Sequence, residues 1–231
     1  MAAATRRWSL LSAGITLVAL IPAILLLLCS RSLAGNTLTQ GGPGLNSSTV
    51  LVSPNGLFSL GFRRIPAGES NGSSYLGIGY NNDTKFIFWI ANPDSPIPSG
   101  SSGELALDGN GTLKLTHSGG RGAVVLYSSN SRRERRLSAV LEDTGCFSLL
   151  DADGNPLWQS FDSPADFWLQ GMKLGAVNGG GNRKLTSWLK NSVPAPGAFT
   201  LEWDPTAGKE ELVMKRLSPS SMDLLNSSIK A

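Results

Sequence analysis

The chemical pattern that recurs most in this chain is Asn-x-Ser/Thr. Asn46-Ser47-Ser48, Asn71-Gly72-Ser73, Asn82-Asp83-Thr84, Asn110-Gly111-Thr112 and Asn226-Ser227-Ser228 are acceptor sequences for N-glycosylation, which requires an exposed asparagine. Residues able to catalyse are sparse. His117 is the sole histidine and stands beside Ser118-Gly119-Gly120, the setting of a solvated turn residue. Asp162 and Asp166 are close enough in sequence to suggest a carboxylate pair, but they lie in a turn, where aspartate caps backbone amides. No Cys or His cluster has metal-ligand spacing. Gly41-Gly42 and Gly179-Gly180-Gly181 lack the lysine and the strand-to-helix setting of a phosphate loop, so no cofactor is expected. An enzyme needs a convergent acid, base or nucleophile, and none is legible here.

The N-terminus indicates where such a chain works. Arg6 and Arg7 precede an uncharged apolar run, Trp8 to Cys29, followed by Ser30, Arg31 and Ser32-Leu33-Ala34. This is the pattern of a secretory signal helix cut after Ala34. The run also approaches the length that spans a bilayer, so an uncleaved signal anchor is the alternative. Either form sends the remainder outside the cytosol: secreted, or at the plasma membrane if the anchor stays. Three of the 20 basic residues lie in the leader, which holds no acid, leaving 17 basic against 17 acidic. A neutral surface argues against nucleic acid as a partner. The run Ser131-Arg132-Arg133-Glu134-Arg135-Arg136 is expected to be a solvated loop. With Cys29 in the leader, Cys146 has no intrachain partner, and a buried, inert thiol is expected.

The elements that position these residues are short strands. Residues 35–49 suggest an N-terminal strand with a long turn. Val50 to Val52, the turn Ser53-Pro54-Asn55-Gly56 and Leu57 to Phe62 form a hairpin, and Phe86 to Asn92 closes the unit after a loop-rich insertion around Tyr75 to Tyr80. Leu105 and Leu107, the turn Asp108-Gly109-Asn110-Gly111, Leu113 and Leu115, and Val124 to Tyr127 repeat the plan. Gly145 to Leu150, the turn Asp151-Ala152-Asp153-Gly154 and Leu157-Trp158 repeat it again. Superposed on Gly56, Gly111 and Gly145, the units place Phe58/Leu60, Leu113/Leu115 and Phe147/Leu149 on one strand face. The aromatics Trp89, Tyr127 and Trp158 then coincide, and a common aromatic centre is expected. One hairpin cannot bury its own apolar face; three about an axis can, which predicts an all-β prism or barrel of three antiparallel sheets. Beyond Asp162, Gly171 to Gly175 suggests an edge strand. Leu185 to Trp188 and Ala198 to Trp203 suggest two strands separated by Pro194-Ala195-Pro196-Gly197, and no partner is legible from Thr206 onward.

Six stretches, Leu38-Thr39-Gln40-Gly41, Phe58-Ser59-Leu60-Gly61-Phe62, Trp89-Ile90-Ala91-Asn92, Leu157 to Asp162, Gly171 to Gly175 and Leu185 to Trp188, resemble the extracellular region of plant bulb-type (G-type) lectin S-receptor-like kinases, related to the monocot mannose-binding lectins. The resemblance implies a signal segment at 1–34, a β-prism II lectin domain at 35–163, the start of an S-locus glycoprotein-like β segment at 164–205 and a poorly defined tail at 206–231. It implies mannose-type glycans or glycoproteins as ligands, and full-length receptor kinases of the same family as partners. The family's sugar motif is Gln-x-Asp-x-Asn-x-Val-x-Tyr. Its counterparts are Ser53, Asn55, Leu57 and Gly61 in the first unit, Asp108, Asn110, Thr112 and Thr116 in the second, and Glu142, Thr144, Cys146 and Leu150 in the third. None keeps the motif. The second retains most polar atoms, so a weak sugar site is expected there, although a glycan on Asn110 would block it. The alternative is an interaction fragment, a decoy or co-receptor, without sugar binding.

Overall fold

Alternating apolar residues between glycine-bearing turns keep the backbone extended, and the regular structure of the described residues is strand apart from one 3-10 turn. The computed structural model describes residues 35–65, 72–83, 85–120, 122–128, 136–176, 182–204 and 211–217. The leader, the sequons at Asn71 and Asn226 and most of the arginine-rich run lie outside the described residues. In chain order the strands are β1 (Thr37–Thr39), β2 (Leu45–Asn46), β3 (Leu51–Val52), β4 (Phe58–Arg64), β5 (Ser74–Tyr80) and β6 (Ile87–Ile90). Then follow β7 (Gly103–Leu107), β8 (Leu113–His117), β9 (Val124–Tyr127), β10 (Ser138–Leu141), β11 (Phe147–Leu150) and β12 (Pro156–Gln159). After a 3-10 turn at Ser160–Asp162 come β13 (Gly175–Ala176), β14 (Asn182–Arg183), β15 (Leu185–Lys190), β16 (Val193–Asp204) and β17 (Glu211–Arg216).

Strands β1 to β12 form three four-stranded antiparallel sheets: sheet one β3-β4-β5-β6, sheet two β2-β7-β8-β9 and sheet three β1-β10-β11-β12. Each turns one apolar face toward the others. Leu60, Leu76 and Ile78 of sheet one, Leu105, Leu113 and Leu115 of sheet two, and Ala139, Phe147 and Leu149 of sheet three join a single buried cluster. Each such leucine or phenylalanine contributes about 1.5–3 kcal/mol of burial free energy. Trp89 is buried within this cluster, while Tyr127 and Trp158 are half-buried against it. The Trp89 and Trp158 rings are 5.9 Å apart at 66°, and Phe147 meets Trp158 edge-on at 6.2 Å. The buried Trp89 indole N–H donates to the Ser163 carbonyl at 3.1 Å, so its polar atom is satisfied.

Three expectations about the repeats are corrected. The units are four-stranded sheets, because residues 37–52 supply an edge strand to each sheet in turn; Leu38 and Leu45 thereby enter the core. Gln40 sits at the crossing, donating its backbone N–H to the Leu137 carbonyl at 3.1 Å and its side-chain amide to the Gly109 carbonyl at 3.1 Å. Next, Gly56, Gly111 and Gly145 do share a left-handed turn conformation (φ +73°, +84° and +83°), which favours glycine. Yet the Gly56 turn joins the first and second strands of its sheet, whereas the other two join the second and third. The strand equivalent to β8 and β11 is therefore β5, not β4. Finally, Trp89 faces Ile78 and Trp158 faces Leu149, while Tyr127 faces Leu113, and Val124 is opposite Leu115. All three sheets have a bulge next to the aromatic pair, after Ile78, Leu113 and Leu149, but in sheet two it falls two residues earlier along the strand, so Tyr127 stands opposite Leu113 and not Leu115.

The later segment also departs from expectation. Gly171 to Leu174 are not strand, and among the described residues β13 pairs with β14 alone. Pro194 and Pro196 do not separate two strands: β16 runs through both, opposite a part of β15 where the register shifts. Prolines are tolerated in strands at such irregularities. Residues beyond 206 do provide a partner, since β17 pairs with β16 from Phe199↔Arg216 to Asp204↔Glu211. β17 was illegible because nearly all of its positions are exposed and no buried face imposes alternation.

Candidate functional site

Because side chains alternate along a strand, the third strand of each sheet presents one row to the core and another outward. The outward row is where the sugar motif falls. In sheet one, the pairing Ile78↔Trp89 aligns Ile78 with Leu149, so Asn71, which lies outside the described residues, Ser73, Tyr75 and Gly79 take the places of Ser53, Asn55, Leu57 and Gly61, with Gly77 between Tyr75 and Gly79. Tyr75 is buried with Ile65, Ile87 and Ile90, and Trp188 of β15 packs over them. Gly77 and Gly79 have no space for a side chain: a Cβ would lie 2.7 Å from the Ile87 Cγ2 and 2.0 Å from the Phe86 carbonyl oxygen respectively. This face is apolar and covered.

In sheet two, Lys114 and Thr116 point outward from β8, with Thr112 just before it and Asp108 and Asn110 in the preceding turn. One Asp108 oxygen accepts the backbone N–H groups of Asn110 and Thr112, each at 3.0 Å. The other accepts Lys114 Nζ at 2.9 Å. Burial alone would raise the Asp108 pKa, but these partners together hold it below the usual carboxylate value. Asp108 is thus a turn cap and ion-pair partner.

In sheet three, Glu142, Thr144 and Cys146 line a concave space of about 240 Å³ together with Gln159, Asp162 and Lys173. Arg183 of β14 closes one side and pairs with Asp162. Leu150, the fourth expected position, is outside this lining and lies opposite Pro156. Ser148 donates to Glu142, and the Gln159 amide donates to Ser148 Oγ at 3.3 Å. Two neighbouring acceptors and donors are thereby fixed in orientation on a rigid strand face.

Residues 86–189 match the family model of the D-mannose binding lectin. The chain carries a bulb-type lectin domain. A G-type lectin S-receptor-like serine/threonine-protein kinase of Arabidopsis thaliana, SD2-2, is 32% identical over 176 residues, 76% of this chain and 21% of that protein. The S-locus-specific glycoprotein S6 of Brassica oleracea is 37% identical over 187 residues, 77% of this chain and 41% of its own length. A solved monomeric monocot mannose-binding lectin from Gastrodia elata is 18% identical, with a TM-score of 0.36, over 55% of this chain and 96% of that one. The chain thus spans about a fifth of the curated kinase it matches.

Of the sequon asparagines, Asn46, Asn82 and Asn110 are exposed. His117 is the last, half-buried residue of β8 rather than a solvated turn residue, and its ring nitrogen lies 3.1 Å from the Ser118 carbonyl. Cys146 is buried, and desolvation pushes its thiol pKa up; hydrogen bonds from Ser148 and Ser160 oppose this and the Glu142 carboxylate reinforces it. Sequence reasoning did not place Gln159, Asp162, Lys173 or Arg183 beside the third row: Gln159 ends β12, Asp162 reads in sequence as a turn cap, and Lys173 and Arg183 come from segments after the repeat. The adjacency of Trp158 and Gln159 was the one available signal for Gln159, since a residue beside a core tryptophan must face outward.

Proposed function

We propose that this chain is an exported, non-catalytic recognition module whose bulb-type lectin domain contacts mannose-type glycans or glycoproteins weakly, through the outer face of sheet three. The observation that carries this reading is the cleft of about 240 Å³ lined by Glu142, Thr144, Gln159, Asp162 and Lys173. Carboxylate, hydroxyl, amide and ammonium groups converge there, the mixture of donors and acceptors that adjacent sugar hydroxyls require. The row Asp108, Asn110, Thr112 and Thr116 is the secondary candidate. It is the weaker one because the Asp108 carboxylate is already held by Lys114 and two backbone amides, and a glycan on Asn110 would cover it.

Export rests on the leader and the five sequons; N-terminal sequencing of the product distinguishes cleavage after Ala34 from a retained anchor. The glycan reading is tested by probing a mannose glycan array with enzymatically deglycosylated protein. A signal retained in Asp108→Ala and lost in Thr144→Trp, which fills the cleft, supports sheet three; no signal from the wild type sinks sugar binding. The second reading is a decoy or co-receptor that pairs with full-length receptor kinases. It applies if no sheet offers a working sugar row, as is already so for the outer face of sheet one, which is apolar and covered by Trp188 of this chain, and it predicts a silent array together with co-purification of a family kinase ectodomain.

A further inference from the structure

β17 is the outer strand of the sheet β15-β16-β17, and among the described residues its far edge has no paired strand. Its two faces differ in chemistry. Glu211, Val213 and Lys215 share a face with Asp204, Glu202 and Thr200 of β16, while Leu212 and Met214 share the other with Trp203 and Leu201. The apolar side is open: Leu212 is 41% and Met214 73% exposed, beside Phe199 at 46%. On the polar side the charges do not balance. Glu211 lies directly opposite Asp204, and Lys215 pairs with both Glu202 and Asp204. Like charges placed opposite one another destabilise a strand pair.

We propose that β17 pairs antiparallel with β17 of a second copy of this chain, across a two-fold axis through Val213, joining two three-stranded sheets into one of six. A two-fold perpendicular to a sheet preserves its faces, so only residues of like facing can stand opposite each other. Centred on Val213, that rule sets Glu211 against Lys215 of the copy, and Leu212 against Met214 of the copy, each pair occurring twice. Each Glu211 gains a cation and each exposed apolar side chain gains an apolar neighbour. The adjacent symmetric registers lose this match: centred on Met214, Lys215 meets Val213 and Arg216 meets Leu212, and centred on Leu212, Glu211 meets Val213. Charge complementarity therefore selects both the occupant, a second copy, and the register. An unpaired, exposed and partly apolar edge is the kind of surface that pairs with another strand.

The test uses the full exported chain. In sedimentation velocity at tens of micromolar, the wild type is expected at twice the chain mass. Val213→Glu, which brings two carboxylates together on the axis, is expected at the single-chain mass with an unchanged unfolding midpoint. Cysteine scanning under mild oxidation reads the register. Val213→Cys is expected to cross-link to a dimer on a non-reducing gel, since directly opposed residues have Cα atoms about 4.5–5.5 Å apart, within disulfide reach. Glu211→Cys is expected not to cross-link, its copies being roughly 13 Å apart in this register. A monomeric wild type, or cross-linking at Glu211→Cys or Met214→Cys in preference to Val213→Cys, overturns the proposal.

Discussion

Asp108→Ala separates two roles for one carboxylate. In the structure that group accepts the amides of Asn110 and Thr112 at 3.0 Å and Lys114 Nζ at 2.9 Å. A side chain that caps orphan backbone amides is worth about 0.5–2 kcal/mol, and a partly exposed ion pair adds at most about 1 kcal/mol. A loss of about 1–2 kcal/mol is therefore expected at pH 7, seen as a lower midpoint in urea denaturation followed by tryptophan fluorescence. The sign of the pH dependence follows from the depressed Asp108 pKa. A group whose folded pKa lies below its unfolded value of about 3.9 stabilises above that value and loses its contribution as pH falls through the folded pKa. The gap between wild type and Asp108→Ala should be complete at pH 7 and shrink steadily below about pH 4. A gap under about 0.3 kcal/mol at pH 7, or one that persists unchanged at pH 2, would refute the capping role. Loss of glycan binding with no loss of stability would make Asp108 a ligand group instead.

Other consequences concern the core and the thiol. Phe147 is fully buried and edge-on to Trp158, so Phe147→Ala should cost about 3–5 kcal/mol, measurable as a fall in Tm or failure to be exported. Asn92 accepts the Leu76 amide at 2.9 Å and donates to the Ser95 carbonyl at 2.8 Å while itself buried. Asn92→Leu leaves that amide unsatisfied and should cost about 1–3 kcal/mol in chemical denaturation. Cys146, buried and with its pKa pushed up by desolvation, should resist iodoacetamide at pH 8 in the native protein and react promptly in guanidinium; fast native alkylation would contradict the packing described.

What the sequence discloses depends on whether burial imposes a pattern. Leu113 and Leu115, or Phe147 and Leu149, alternate because one face is core, and Gly111 and Gly145 mark turns because their backbones adopt positive φ. The edge strands at 37–39 and 45–46 are too short to show a period, so the donation of Leu38 and Leu45 to other sheets was invisible. In the first repeat, a shared turn conformation at Gly56 disguised a different position in the sheet, which placed the expected sugar row at 53–61 where the pairing puts it at 71–79. The third row was legible as Glu142, Thr144 and Cys146, but its walls were not. Lys173 and Arg183 reach it from segments whose position is set by tertiary packing.

The most direct test of glycan recognition through sheet three is an amide-resolved NMR titration of the deglycosylated protein with methyl α-mannoside. Shifts concentrated at residues 142–148 and 159–162, saturating with a single weak affinity, are predicted. Shifts confined to residues 108–116 would transfer the site to sheet two, and an unchanged spectrum at saturating sugar would contradict glycan recognition by this domain.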